Sequence, residues 1–209
     1  MIFALDSAGK ETLLGFLKDG SIHETMLPDR DGLLRRFYAM LNDINATPQQ
    51  ITAIALGAGP GSFTGLRVGF AFAHGLARGL DVPLWPVPSF EVLAQNVLPN
   101  SDTVTVLAQA RKERWFAQSF GKEEKARVVT DAISLAQWLP EKGLICGPGC
   151  DTLPAELKVK LKARIPQDKA LHRPHARSLI DLARKAWTDR EPLKIGQVLP
   201  EYGLEFGAS

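Results

Sequence analysis

Short apolar runs punctuated by turn signals open the chain. "IFALD" (residues 2–6) is rich in strand formers, and "TLLGFL" (12–17) and "IHETML" (22–27) flank "KDGS", whose Asp19-Gly20 pair signals a hairpin. Three consecutive antiparallel strands are expected. The period then changes: Leu33, Leu34, Phe37, Leu41 and Ile44 recur at helical spacing, so a helix is predicted within 31–44. "ATPQQ" supplies a Thr cap, Pro at the first helical position and Gln three residues after the cap, opening a short helical turn before the strand "ITAIALG" (51–57). A glycine-rich segment leads into a second helix, "VPLWPVPS" (82–89) into a further strand and "FEVLAQNVL" (90–98) into a helix.

From Thr103 the order begins again. Strands are expected at "TVTVLAQAR" (103–111), "RWFAQSF" (114–120) and "ARVVTDAI" (126–133), then a helix at "SLAQWLPEK" (134–142) and a strand at "GLICGPG" (143–149). A helix at "TLPAELKVKL" (152–161), a weak strand near "ARIPQ" (163–167) and a helix at "HARSLIDLARKAW" (175–187) complete the second set. "ALDSAGKE" and "LAQARKER" fall at equivalent places, as do "ALGAGPG" and "LICGPGC". The pattern is a duplicated α/β unit with mixed sheets. It divides the chain into an N-terminal lobe, 1–103, and a C-terminal lobe, 104–191, with a tail, 192–209, expected to return to the first lobe.

With 209 residues and 45% hydrophobic content the chain can bury a sizeable core. No window approaches a membrane span, and "MIFALDSAGK" lacks the features of an export signal, so a cytoplasmic location is expected. Cys146 and Cys150 are accordingly expected to be reduced and buried. The net charge of +2 is unevenly divided: seven basic and ten acidic residues in 1–104, against eighteen and thirteen in 105–209. Lys158, Lys160, Lys162 and Arg164 follow an amphipathic run and read first as a solvated face, with nucleic acid as the alternative.

"GAGPGSFTGLRVGFAFAHGLARG" (57–79) poses the functional question. A dinucleotide fingerprint needs GxGxxG, but Ser62 or Thr64 stands at the third glycine position in either register, and there is no Gly-Lys-Ser/Thr of a P-loop. A helix N-terminus at which Ser62 and Thr64 hold an anion is what remains. The helix itself carries a small-residue stripe, Gly61, Gly65, Gly69, Ala73 and Ala77, beside bulky Leu66, Phe70, Phe72 and Leu76. Glycine within a helix costs about 1 kcal/mol relative to alanine, so the repeat points to close helix packing. The spacing leaves open whether the apposed surface belongs to the same lobe or to another chain.

"FALDS" (3–7), "GPGSFTGLRVG" (59–69), "QAR" (109–111) and "LPEY" (199–202) together resemble the TsaB (YeaZ) family over essentially the whole chain. The resemblance implies an α/β, actin-like fold made of two ribonuclease-H-like lobes. It implies a non-catalytic subunit needed to form threonylcarbamoyladenosine at adenosine 37 of tRNAs reading ANN codons, supporting TsaD together with TsaE. It further implies that helices of the first lobe bundle with those of TsaD, or of a second copy when TsaD is absent. Leu33, Leu34, Phe37, Gly61, Phe63, Gly65, Leu66, Gly69, Phe70, Ala73, Leu76 and Ala77 are then the expected interface, and bulk at Gly69 is expected to block pairing without unfolding the chain. Contact with tRNA is expected only within the complex, and no membrane is involved.

Laid on the catalytic relative, "VPSFEVLA" puts Ser89 and Leu93 where two metal-binding histidines would stand, and neither replaces an imidazole. His23, His74, His172 and His175 form no HxxxH, and Pro174 breaks helical geometry between the last two. Of the two lobe-opening carboxylates of actin-like ATPases, Asp6 fills the first place and Gln109 occupies the second. No catalytic residues, metal or cofactor are therefore expected. Asp6, Ser7, Ser62 and Thr64 are the candidates for nucleotide or anion contact, weak or intersubunit, and a nucleotide-binding ATPase or hydrolase is the alternative function. Asp6 has a second role available, capping the "SAG" turn. The usual second-unit signature "DARRGEVY" is here "QARKERWF", keeping Ala110 and Arg111, and the usual ending "PxYLR" is "PEYGLE".

Overall fold

A computed structural model of the chain describes residues 1–28, 31–187 and 195–202. These residues form two compact units, one of Met1–Val92 with the described residues from His175 onward, the other of Leu93–Pro174.

In the first unit β1 (Ile2–Asp6), β2 (Thr12–Lys18) and β3 (Ser21–Leu27) make an antiparallel meander, and β4 (Ala53–Gly57) and β5 (Leu84–Val87) add in parallel, in the order β3-β2-β1-β4-β5. The β2–β3 hairpin turns through Asp19 (φ 48°) and Gly20 (φ 81°), the left-handed pair that a two-residue turn matched to strand twist requires. Alternation along the strands sorts the core. Phe3, Leu5, Leu14, Phe16, Ile54 and Leu56 face α1 (Leu33–Asp43) and α2 (Phe63–Leu80). The smaller Ala4, Ala53 and Ala55 join Ile2, Leu13 and Leu17 under α6 (Ala176–Trp187). Small residues let α6 lie close: a Cβ built on Gly15 of β2 would overlap Ala176 Cβ. The predicted capping box is present at the turn Pro48–Gln50, with Thr47 N donating to Gln50 Oε1 (3.0 Å).

In the second unit β6 (Thr103–Arg111), β7 (Arg114–Gly121) and β8 (Lys125–Thr130) form the meander, and β9 (Leu144–Cys146) pairs in parallel with β6, in the order β8-β7-β6-β9. The helices α4 (Ala132–Trp138) and α5 (Ala155–Leu161) cover one face through Leu135, Leu139, Leu157 and Leu161. Asp131 caps α4 by accepting from Ser134 N (2.9 Å). The fifth strand expected at 163–167 is not formed. Lys162–Arg164 make a helical turn instead, and the Arg164 guanidinium donates to the carbonyls of Gly143 (2.9 Å) and Lys142 (3.0 Å). Pro166 has no N–H to give a ladder, and one β-branched residue, Ile165, is too few to hold a strand.

The helix at 175–187 also differs from expectation. Its apolar stripe, Ala176, Leu179, Ile180 and Ala183, is buried against the first sheet, so the second unit ends at Pro174 instead of extending to 191. The first boundary falls at Val92, within α3 (Ser89–Gln95), ahead of the expected residue 103. The described part of the tail returns to the first unit: Val198 is buried in its core and Glu201 N donates to Ala58 O (2.7 Å). Residues 188–194 and 203–209, including the "GLE" departure, lie outside the described residues.

Candidate functional site

Two places were predicted to matter, the glycine loop after β4 and the helical face that follows it. At the loop, Asp6 closes β1 as a buried residue, 1% exposed. Oδ1 accepts from Ala8 N (2.9 Å), which is the turn cap read from the sequence. Oδ2 lies over Gly57 without a hydrogen-bond partner. Burial pushes this carboxyl above its ordinary range, opposed by the Ala8 amide and then the Ser89 hydroxyl. The neighbouring groups are occupied in the same manner. Ser7 Oγ donates to Gly65 O (2.8 Å), Ser62 N donates to Ala8 O (2.7 Å), and Ser62 Oγ accepts from Gly65 N (3.1 Å) as the cap of α2. Thus Asp6, Ser7 and Ser62 are brought together, and their hydrogen bonds tie the β1–β2 turn to the start of α2; Thr64 stands apart, exposed.

Ser89 and Leu93 have structural work of their own. Ser89 Oγ accepts from Gly59 N (3.1 Å) while Ser89 N donates to Gly59 O (2.7 Å), and the Leu93 side chain is buried. Gln109 is exposed beside a bulge between β6 and β7. Among the described residues no three His, Cys, Asp or Glu side chains group as metal ligands. Cys146 and Cys150 are free and buried, and burial raises both thiols, that of Cys150 to about 12. His175 Nδ1 lies 2.7 Å from Glu24 Oε1, and Glu24 Oε2 accepts from Ala176 N (2.8 Å), so Glu24 anchors the start of α6. Among the described residues no helix is long and apolar enough to cross a membrane.

The helical face requires a correction. The stripe Gly61, Gly65, Gly69, Ala73 and Ala77 turns inward, onto the β1–β2 turn and the core. A Cβ at Gly69 would overlap Ser7 Oγ, one at Gly61 would overlap Ala8 O, and Ala73 and Ala77 are fully buried. Leu33, Phe37, Leu66 and Phe70 are core residues as well. In the single chain these side chains pack against their own unit. Of the expected interface, Leu34 (58% exposed) and Phe63 (44%) are exposed, and Gly61 and Leu76 are half-buried. Phe63 is partly covered by Tyr202 of the tail (ring centroids 4.8 Å) and by the Arg67 guanidinium (5.3 Å).

The structure adds residues that the sequence reading missed. Tyr38, 50% exposed, follows Leu34 by one helical turn on α1. On α2, Gly75 and Gly79 are exposed, and a Cβ at either would meet nothing within 4 Å. They form a second glycine pair at a spacing of four, a signal present in the sequence but overshadowed by the longer stripe. With Phe37 against Phe72 (5.4 Å) joining the two helices, α1 and α2 offer a continuous outer surface.

Each sheet opens on an antiparallel three-strand meander and continues in parallel, which defines the duplicated, actin-like ribonuclease-H-like α/β class. A solved structure, YeaZ from Pseudomonas aeruginosa, is similar across 96% of this chain and 99% of that one, with a TM-score of 0.73 and 25% identity. The family model described as TsaD, tRNA N6-adenosine threonylcarbamoyltransferase, matches residues 32–146. Bacillus subtilis tRNA threonylcarbamoyladenosine biosynthesis protein TsaB is 33% identical over 105 residues, covering 49% of this chain and 46% of its own. The Haemophilus influenzae protein of the same name is 31% identical over 144 residues, covering 66% and 59%. The matched stretch thus spans about half the length of these curated relatives. The chain belongs to the TsaD family, and its likeness within that family is to the TsaB (YeaZ) proteins.

Proposed function

We propose that this chain is a non-catalytic subunit in threonylcarbamoyladenosine formation at adenosine 37 of tRNAs that read ANN codons. It supports a TsaD-type transferase together with TsaE, and pairs with a second copy of itself when the transferase is absent. It works in the cytoplasm without a cofactor of its own, and meets tRNA only within the complex. The observation that carries the reading is the outer surface of α1 and α2. Leu34 and Tyr38 expose apolar bulk there, and Gly75 and Gly79 sit in an exposed helix with open space above them. Each glycine costs the isolated helix about 1 kcal/mol and returns nothing to the core. A helix approaching closely from another chain offsets that cost. The names of the similar proteins supply the pathway, and the identities of Ser89, Leu93 and Gln109 support a subunit that leaves the chemistry to its partner.

Mass spectrometry of digested tRNA tests this, in a reconstitution with TsaD, TsaE and the adenylate-forming enzyme, with and without the chain. Product that depends on the chain is expected; equal yield in its absence refutes the proposal.

A further inference from the structure

The outer surface of α1 and α2 carries charge largely of one sign. On α1 the exposed Arg35 follows Leu34, and on α2 Arg67, Ala71, Gly75 and Arg78, all exposed, recur at spacings of four, four and three and so share one strip of the helix. Two small residues thus lie between two arginines whose separation along the helix is about 16 Å. The Arg67 guanidinium lies over the Phe63 ring (5.3 Å), a stack that keeps its charge at the surface. Among the described residues Arg35, Arg67 and Arg78 make no ion pair. The remaining arginine of the two helices, Arg36, donates to Thr25 Oγ1 (3.3 Å) and is turned toward β3. Carboxylates are few: α2 has none, α1 has Asp43 as its last residue, and Asp31 and Asp81 stand just outside the helices. Arg35, in the first turn of α1, is disfavoured by the helix dipole, and no acidic residue of that turn offsets it.

We infer that this face selects its partner by charge: the occupant is a helical face of another protein that sets carboxylates opposite Arg35, Arg67 and Arg78, in preference to a second copy of the chain. The inference rests on the proposed pairing through α1 and α2. Each guanidinium offers a planar fork of N–H donors that fits a carboxylate in two parallel hydrogen bonds. Leu34 and Tyr38 supply apolar contact beside them, and Ala71 and Gly75 let the partner's backbone approach between the two α2 arginines. A second copy offers the same apolar surface, but its own two helices hold a single carboxylate, at the end of α1, and so leave the cations unmatched. Opposite charge speeds encounter in the mixed pair while unmatched cations weaken the self-pair, which lets the transferase displace a second copy.

Isothermal titration of the full chain with the TsaD-type transferase over a salt series tests the inference, with self-association followed by sedimentation equilibrium. Salt is expected to weaken the mixed pair and to leave the self-pair unchanged or tighter. Arg67→Glu with Arg78→Glu is expected to raise the Kd of the mixed pair at least about tenfold at low salt, and Arg67→Lys with Arg78→Lys to retain the salt dependence. Lys160→Glu with Lys162→Glu, the same change of charge on exposed residues at α5 of the second unit, is expected to leave that Kd within about twofold. Arg78→Glu alone, at an exposed site with no ion pair to lose, reads the effect if the double variant unfolds. A mixed pair indifferent to salt and to both arginine reversals overturns the inference, as does a self-pair that salt weakens equally. Arginine variants that lower tRNA binding by the assembly while the Kd of the pair stays fixed also overturn it, assigning the face to RNA. Failure of the wild-type chain to bind the transferase refutes this inference and the role beneath it, whereas product that depends on the chain through a charge-indifferent pair refutes this inference alone.

Discussion

Gly69→Ala isolates the packing of α2 against its own unit. The added methyl would overlap Ser7 Oγ and lie 3.1 Å from Ser7 Cβ and 3.8 Å from Leu5 Cδ2, a fully buried side chain. Ser7 must rotate away, which breaks its 2.8 Å hydrogen bond to Gly65 O. Losing that bond costs about 0.5–1.5 kcal/mol and overpacking about 1–3 kcal/mol, while alanine returns about 1 kcal/mol of helix propensity. The net expectation is a destabilisation of about 0.5–3.5 kcal/mol, read from urea unfolding. Gly75→Ala is the internal control: it gains the same propensity with nothing within 4 Å of the new carbon, so it is expected to stabilise by up to about 1 kcal/mol. The cause is checked in a Ser7→Ala background, where the obstructing oxygen is gone and Gly69→Ala should cost at least about 1 kcal/mol less. A neutral or stabilising Gly69→Ala in the wild-type background, or no relief from Ser7→Ala, refutes the inward orientation of the stripe.

Gly75→Trp is expected to leave the unfolding free energy from urea titration within about 1 kcal/mol of wild type while abolishing pairing on size exclusion, whereas retained pairing removes α2 from the interface. Asp6→Asn is expected to raise stability at neutral pH and to lose that advantage on acidification. The Asp6 carboxyl is raised in the folded state, so the stability that it contributes is complete below the unfolded value near 3.8 and is lost as pH rises through the folded value; denaturant midpoints for both proteins across pH 3–8 read the difference. Glu24→Ala leaves Ala176 N and His175 without their shared carboxylate and is expected to cost about 1 kcal/mol, seen as a lower urea midpoint.

The order of elements was legible in the residues because it depends on short-range chemistry. Asp19-Gly20 prefers a left-handed turn whatever surrounds it, Thr47 with Gln50 caps its own backbone, and Leu33, Phe37 and Leu41 fall on one face of any helix they form. The turn-capping role of Asp6 was readable for the same reason, since its partner is two residues away. Tertiary structure decided what each marked face meets. Periodicity shows that Ala176, Leu179, Ile180 and Ala183 want burial, but the choice of the first sheet depends on Gly15 and the alanines of β1 and β4, more than a hundred residues earlier. In the same way, Gly69 signals close approach without naming its neighbour. That neighbour is Ser7, held by a bond spanning 58 residues, and not a partner chain. A glycine records only that space is needed beside a backbone; what fills it is set by the packing of the whole unit, which is why the spacing of the inner stripe leaves its neighbour open and only the family resemblance points it to an interface, while the outer pair, Gly75 and Gly79, is hidden behind the longer stripe.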